Sequence, residues 1–244
     1  MQITQILFDC DNTLVLSEEI AFQACAELVN QTLQAEGFSD RYTGSQLMVD
    51  FVGQNFRGMI TSLQSKYGFT LEKTKFDDLV AKEEDKVIDM LEAKAQPCIG
   101  VIEVLDTLAA SKKYGLAVVS SSALRRVQAS IRKVEQEKYF LPQHVFSAAT
   151  SLPTPTSKPD PAIYLHACKA LGKDPSECVA VEDSKSGVLS AVRAGIHVVG
   201  YVGSYESENQ DEMATKLKEN GAEVIMKDWS EFQDCLASIE PSDH

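Results

Sequence analysis

Five short apolar runs, separated by helical patterns, constrain the fold of this 244-residue chain more than any other feature. Each run is almost continuously apolar and does not alternate, which is typical of strands buried on both faces of a parallel sheet. The runs are 3–9, 115–120, 178–183, 197–202 and 222–226. The helical patterns that separate or follow the later runs are 100–111, 123–136, 161–171, 185–194 and 208–220. This order predicts an α/β fold with an open parallel sheet covered by helices.

The segment 17–96 interrupts this rhythm, because it contains no convincing strand. Roughly 80 helical residues are more than one crossover between parallel strands needs. We therefore predict two domains, a core formed by 1–16 and 97–244 and an all-helical insertion over 17–96. The helical patterns in the insertion are 18–36, about 45–66 and 72–95.

Composition limits the partners that the chain can have. The net charge of −13 argues against nucleic acid or an anionic membrane surface. No apolar stretch approaches the roughly 18 residues of a membrane span, and no signal-peptide pattern begins the chain. The six cysteines are scattered without a CxxC pair, which favours reduced core residues. We expect a cytoplasmic protein, and a monomer because no segment resembles a dedicated dimerisation element.

Polar side chains collect where the predicted strands end. Ligands of open parallel sheets bind outside the carboxyl ends of the strands. Several carboxylates buried there would cost several kcal/mol unless a cation compensated them. Mg²⁺ prefers oxygen ligands and shares phosphate oxygens with a substrate. The pattern therefore predicts a magnesium-dependent phosphoryl-transfer site. Its candidate residues are Asp9, Asp11, Thr13, Ser120, Ser121, Ser122, Lys158, Glu182 and Asp183.

Four ordered stretches of the chain resemble the motifs of the haloacid dehalogenase superfamily. They are DCDNT (9–13), VVSSS (118–122), SKPDPAIY (157–164) and VEDSKSGVLSAVRAGI (181–196). The helical insertion after the first motif resembles the C1-type cap of the branch that holds sugar phosphatases and β-phosphoglucomutase. The resemblance covers nearly the whole chain. It implies a Rossmann-like core with a helical cap domain, and Mg²⁺-dependent phosphatase chemistry.

The resemblance also implies a role for each motif residue. Asp9 would be the nucleophile that forms an aspartyl-phosphate, and Asp11 the general acid and base. Ser120 would hydrogen-bond the transferring phosphoryl group, with Ser121 or Ser122 as alternatives, and Lys158 would neutralise its charge and that of Asp9. Thr13 and Ser121 are further candidate substrate contacts, although the favoured role of Thr13 is to hold the loop of the first motif in place.

The implied metal site uses residues of the first and fourth motifs. Asp9 and Asp183 would hold Mg²⁺, and the main-chain carbonyl of Asp11 would be a third protein ligand. Glu182 would support the metal from a neighbouring position.

The stretch DFVGQNFRGM (50–59) is the most informative part of the predicted cap, since related caps place a specificity loop near here. Arg57 would bind a second anionic group of the substrate or its sugar hydroxyls, and Gln54 and Asn55 would form hydrogen bonds with a polyol. The alternative is that Arg57 is a surface residue with an ordinary ion pair.

Differences between this chain and other branches of the superfamily narrow the range of reactions that it could catalyse. Dehalogenases lack the second aspartate, whereas this chain has Asp11. Relatives of β-phosphoglucomutase carry a histidine at the entry to the cap, but no histidine occurs here before His144. We therefore expect hydrolysis of a small sugar, polyol or sugar-acid phosphate. A phosphomutase is the alternative within the class, and a catalytically idle binding or regulatory protein is less favoured because the motif residues are intact.

Overall fold

The computed structural model of the chain describes residues 2–51 and 54–240. These residues form two compact units. The first comprises the described residues up to Leu16 and from Gln96 onward, and the second is Ser17–Ala95. The assignment of these units as catalytic core and substrate-selecting cap remains a prediction.

The first unit is built around a parallel six-stranded sheet, which confirms the predicted α/β fold. Its strand order is β5-β4-β1-β6-β7-β8. A short antiparallel pair, β2 with β3, lies outside this sheet. The strands are β1 Gln5–Phe8, β2 Val15–Leu16, β3 Gln96–Pro97, β4 Gly115–Ser120, β5 Val145–Ser147, β6 Cys178–Glu182, β7 His197–Tyr201 and β8 Val224–Met226.

Strand β1 lies at the centre of the sheet and is buried on both faces. Its neighbours are β4 and β6, so Phe8 pairs in register with Val118 on one side and Val181 on the other. Successive side chains of a strand point to opposite faces. Leu7 belongs to a large core cluster with residues of β4, β6 and β7, whereas Phe8 contacts the rings of Phe140 and Trp229. A continuously apolar run is what such a two-sided core requires.

The helices of the first unit follow the sequence prediction with local differences. The pattern 123–136 ends as an α-helix at Lys133 and continues as a 3₁₀ turn over Gln136–Tyr139. The prediction missed the three-residue strand β5 and the last helix, Phe232–Ile239. These helices are α5 Val101–Ser111, α6 Leu124–Lys133, α7 Ala162–Leu171, α8 Lys185–Arg193, α9 Gln210–Glu219 and α10 Phe232–Ile239.

Within its described residues the second unit contains helices and connecting loops but no strand. Its helices are α1 Glu18–Ala35, α2 Gly44–Asp50, α3 Phe56–Tyr67 and α4 Lys73–Lys94. The single predicted pattern 45–66 is thus two helices, because Asn55 caps a new one by accepting a hydrogen bond from the Gly58 N–H. Leu33, Leu47 and Ile60 are fully buried in the core of this unit. No helix within 2–51 and 54–240 is both long and apolar enough to cross a membrane.

Candidate active site

The carboxyl ends of β1, β4 and β6 meet at one edge of the sheet. The strands are parallel and adjacent, and the Asp9 N–H extends the ladder by donating to the Val181 carbonyl at 3.0 Å. Asp9 and Glu182 therefore lie level with each other at neighbouring strand ends, and Ser120 is the last residue of β4, one position further along. This convergence follows from the parallel topology that the apolar runs predicted.

Lys158, in the loop before α7, contacts residues at all three of these strand ends. Its Nζ donates to Asp9 Oδ1 at 2.6 Å, to Glu182 Oε1 at 2.5 Å and to the Val119 carbonyl at 2.8 Å. The Lys158 N–H also donates to Ser121 Oγ at 3.2 Å, so Ser121 anchors the lysine main chain. Each of the three ammonium hydrogens has a protein acceptor, which holds the charge beside Asp9.

Three buried carboxylates could hold a metal ion at the same edge. One oxygen each of Asp9, Glu182 and Asp183 lies within 4.8 Å of the others. Thr13 Oγ1 donates to Asp183 Oδ1 at 3.4 Å, which fits its favoured role of holding the loop. The hydroxyl of Tyr205 donates to the main-chain carbonyl of Asp183 at 3.2 Å and supports it from the loop after β7.

The electrostatics of the edge show a shortage of positive charge. Burial raises the pKa of Asp9 to about 8, and the Glu182 and Asp11 carboxylates add to this although the Lys158 ammonium opposes it. Burial alone would lower the pKa of Lys158, but Asp9 and Glu182 outweigh it and raise the pKa. A hard divalent cation with oxygen ligands would offset the excess negative charge, so the donor set fits such an ion.

Asp11 is held by the serines that follow β4. Its Oδ2 accepts a hydrogen bond from Ser122 Oγ at 2.7 Å and lies 3.4 Å from Ser120 Oγ. The Ser122 N–H donates to Ser120 Oγ at 3.0 Å, so the buried Ser120 also shapes the loop. Asn12 has a φ of 57°, the left-handed conformation that glycine and asparagine tolerate best. Ser122, which the sequence offered only as an alternative to Ser120, therefore contacts Asp11.

Two further residues shape the site and were not assigned a role from the sequence. The hydroxyl of Tyr164 donates to Glu182 Oε1 at 2.5 Å, and Tyr164 is fully buried. A Cβ at Gly187 would overlap the Glu182 carboxylate, so only glycine leaves room for it. Both residues lie inside the quoted motif stretches, but which helix face they occupy depends on the tertiary structure.

The predicted substrate residues of the second unit all have local partners. Gln54 Oε1 accepts from Ser62 Oγ at 2.9 Å, and Asn55 is the N-cap of α3. Arg57 forms an ion pair with Asp77 at 3.0 Å, and both side chains are about half exposed. The arrangement of Arg57 corresponds to the alternative of a surface ion pair. A substrate contact by these three residues stays a prediction.

Comparisons with known proteins agree with this fold. The family model described as haloacid dehalogenase-like hydrolase matches residues 6–201. The chain is 30% identical to the 6-phosphogluconate phosphatase of Escherichia coli (strain K12), over 81% of each chain. It is 31% identical to a phosphorylated carbohydrates phosphatase of Thermotoga maritima, over 91% of this chain and 93% of the relative.

A solved structure is similar over almost the whole chain. It is a conserved haloacid dehalogenase-like protein of unknown function from Agrobacterium tumefaciens, 28% identical, with a TM-score of 0.74 and coverage of 97% of this chain and 99% of that one. The family model alone spans most of the sequence, including all four motif stretches. The chain therefore belongs to the haloacid dehalogenase-like hydrolase family.

Proposed function

We propose that the protein is a Mg²⁺-dependent phosphatase that hydrolyses a small phosphomonoester through an aspartyl-phosphate on Asp9. The observation that carries this proposal is the buried Asp9 carboxylate, held at 2.6 Å by Lys158 at the edge where Asp11 also lies. A carboxylate is a nucleophile without a base to deprotonate it, so Asp9 needs positioning and charge compensation only.

The two aspartates divide the chemistry between them. In the first step an Asp9 oxygen bonds to phosphorus while the bond from phosphorus to the alkoxide breaks, and Asp11 gives the alkoxide its proton. In the second step Asp11 takes a proton from water, the water oxygen bonds to phosphorus, and the bond from phosphorus to Asp9 breaks. Ser122 supports this role, because its 2.7 Å hydrogen bond orients the Asp11 carboxylate.

Lys158 compensates part of the negative charge of the site, and a bound Mg²⁺ would compensate more of it. Asp9 and Asp183 would hold Mg²⁺ with the main-chain carbonyl of Asp11, and Glu182 would support it from its neighbouring position. When bound, the ion supplies stabilisation of the charge on the phosphoryl oxygens. Lys158 neutralises Asp9, and Ser120 is the proposed hydrogen-bond donor to the phosphoryl group.

Two similar proteins guide the choice of substrate class. Two relatives are named for phosphatase activity on 6-phosphogluconate and on phosphorylated carbohydrates. We therefore favour sugar, polyol and sugar-acid phosphates, with Thr13 and Ser121 as further contacts in the core and Gln54, Asn55 and Arg57 in the cap. We also propose a cytoplasmic monomer that binds no nucleic acid.

A phosphate-release screen tests the proposal. The purified protein is incubated with 6-phosphogluconate and with sugar, polyol, nucleotide and prenyl phosphates, with and without Mg²⁺. We expect stoichiometric phosphate from at least one sugar, polyol or sugar-acid ester, and only with the ion present. An isomeric product without stoichiometric phosphate would instead identify a mutase. No release from any ester by folded protein would contradict the proposed function.

A further inference from the structure

Tyr164 contacts both members of the buried ion pair between Lys158 and Glu182. Its hydroxyl donates to Glu182 Oε1 at 2.5 Å, and the same oxygen accepts from Lys158 Nζ at 2.5 Å. The Lys158 ammonium also lies 5.2 Å from the centroid of the Tyr164 ring, within the range of a cation–π interaction. One side chain of α7 thus supports the carboxylate and the ammonium together.

The orientation of the Glu182 carboxylate depends on its contacts with Tyr164 and Lys158. The side chain of Glu182 is fully buried, and within the described residues its Oε2 has no hydrogen-bond partner. Gly187 leaves space for the carboxylate but contributes no side chain. The hydrogen bonds that orient the carboxylate are therefore the two to Oε1, one from the Tyr164 hydroxyl and one from Lys158.

We propose that Tyr164 is a positioning residue: its hydroxyl fixes Glu182, and Glu182 fixes the Lys158 ammonium beside Asp9. The kinetic part of this claim rests on the proposed phosphatase function, whereas the geometric part does not. A displacement of about 1 Å in a group that stabilises a transition state can reduce turnover by two orders of magnitude. The hydroxyl of Tyr164 acts only through Glu182 and Lys158, so its loss lowers turnover more than it changes substrate binding.

The chain contains a second cluster of a tyrosine, a lysine and a glutamate, which serves as a matched control for Tyr164, Lys158 and Glu182. The hydroxyl of Tyr114 donates to Glu240 Oε1 at 2.8 Å, and Lys113 Nζ lies 3.1 Å from the same oxygen and 4.7 Å from the Tyr114 ring centroid. The same three residue types therefore form the same contacts in a partly exposed place without the aspartates of the site. Tyr114→Phe removes an equivalent hydroxyl from the same unit.

The experiment compares Tyr164→Phe with Tyr114→Phe and the unmodified protein by kinetics and by NMR of the lysine ammonium groups. In the unmodified protein we expect a slowly exchanging Lys158 ammonium signal, assigned by its absence in Lys158→Met. Tyr164→Phe should lower kcat at least about tenfold with KM within about threefold, and should broaden or remove that signal. Tyr114→Phe should leave the signal, kcat and KM unchanged within about twofold.

The outcomes separate this inference from the proposed function. A Tyr164→Phe protein that keeps the Lys158 signal overturns the inference, whatever its kcat, and so does one that keeps the unmodified kcat. If the unmodified protein hydrolyses no ester, the proposed function fails while the ammonium signal still decides whether Tyr164 fixes Lys158. If Tyr164→Phe does not fold, Glu182→Gln replaces it, and an unchanged Lys158 signal in that variant overturns the inference.

Discussion

The two units of the molecule contain ion pairs of similar length in very different surroundings. In the core, Lys158 and Asp9 are 2.6 Å apart and their side chains are 3% and 10% exposed. In the helical unit, Arg57 and Asp77 are 3.0 Å apart and 53% and 46% exposed. Water screens the second pair, and exposed pairs of this kind typically contribute about 0.2–1 kcal/mol. The first pair has no such screening, so each of its charges depends on its neighbours.

This difference separates a buried, mutually supported charge cluster from a solvent-exposed ion pair. The Lys158 ammonium has three acceptors, and its carboxylate partners are held in turn by other side chains such as Tyr164. Removing one partner of a buried pair leaves an uncompensated buried charge, whereas removing one partner of a surface pair leaves a charge that water solvates. The expectation is that substitutions in the core pair change chemistry and those in the exposed pair do not.

Asp9→Asn should have a larger effect than any substitution in the exposed pair. The amide cannot act as the nucleophile, so kcat should fall by about 10⁴-fold or more in a phosphate-release assay. Asp211→Asn is the control, since Asp211 forms a 2.6 Å pair with Lys227 at the exposed surface. The control should keep its activity within about twofold, and substantial turnover by folded Asp9→Asn would exclude Asp9 as the nucleophile.

Removal of divalent cations should have the next largest effect. Metal ions contribute several kcal/mol to stabilising transferring phosphoryl groups, so chelation should lower kcat by about 10³-fold and Mg²⁺ should restore it. Binding also stabilises the folded state, by about 2.7 kcal/mol at a concentration of 100 times Kd.

Thermal unfolding with and without Mg²⁺ checks the location of the ion. Asp183→Asn should lose the increase in Tm caused by Mg²⁺, and the exposed Asp77→Asn should keep it. Full activity in a chelator would contradict the metal-dependent mechanism.

Two glycines occupy equivalent helix positions, one in each unit. Gly187 and Gly58 each donate their N–H to the N-cap side chain three residues earlier, Ser184 and Asn55. A Cβ at Gly187 would overlap Glu182, so Gly187→Ala should destabilise the protein by about 1–3 kcal/mol and lower kcat.

Substitution of Gly58, in the helical unit, should not destabilise the protein. A Cβ at Gly58 would meet Gln54 at 3.4 Å, an ordinary contact, and alanine favours a helix over glycine by about 1 kcal/mol. Gly58→Ala should therefore leave stability unchanged or raise it in urea unfolding. Equal effects of the two substitutions would show that Gly187 does not make room for Glu182.

The smallest effect is expected at Arg57. If Arg57 only pairs with Asp77, Arg57→Ala and Asp77→Asn should each change stability by less than about 0.5 kcal/mol and leave KM unchanged. If Arg57 binds substrate, Arg57→Ala alone should raise KM. Steady-state kinetics on the best ester of the screen distinguishes the two.

The strand ends of the core could be predicted because they follow from topology. Buried apolar runs imply a parallel sheet. A parallel sheet brings Asp9, Ser120 and Glu182 to one edge, whatever the conformation of the connecting loops. The hydrogen bonds of Ser122 and Tyr164 could not be predicted, because they depend on loop paths and side-chain rotamers. Strand β5 was missed because three residues are too few to show a periodicity.

The helical unit was harder to predict for a physical reason. Its pattern 45–66 is apolar at helical spacing, but the N-cap at Asn55 begins a new helix inside it. An exposed arginine in such a segment can bind a substrate or form a surface ion pair, and the sequence pattern is the same in both cases. The sequence therefore left both alternatives open for Arg57.

Chemical trapping of the intermediate identifies the residue that carries the phosphoryl group. In Asp11→Asn the aspartyl-phosphate should form slowly and persist, because water activation is lost. Borohydride reduction after brief exposure to substrate should convert the phosphorylated aspartate to homoserine, which peptide mass spectrometry locates. Homoserine is expected at position 9, and none is expected when substrate is omitted. Homoserine at another residue, or none in a variant that has released its alcohol, would contradict it.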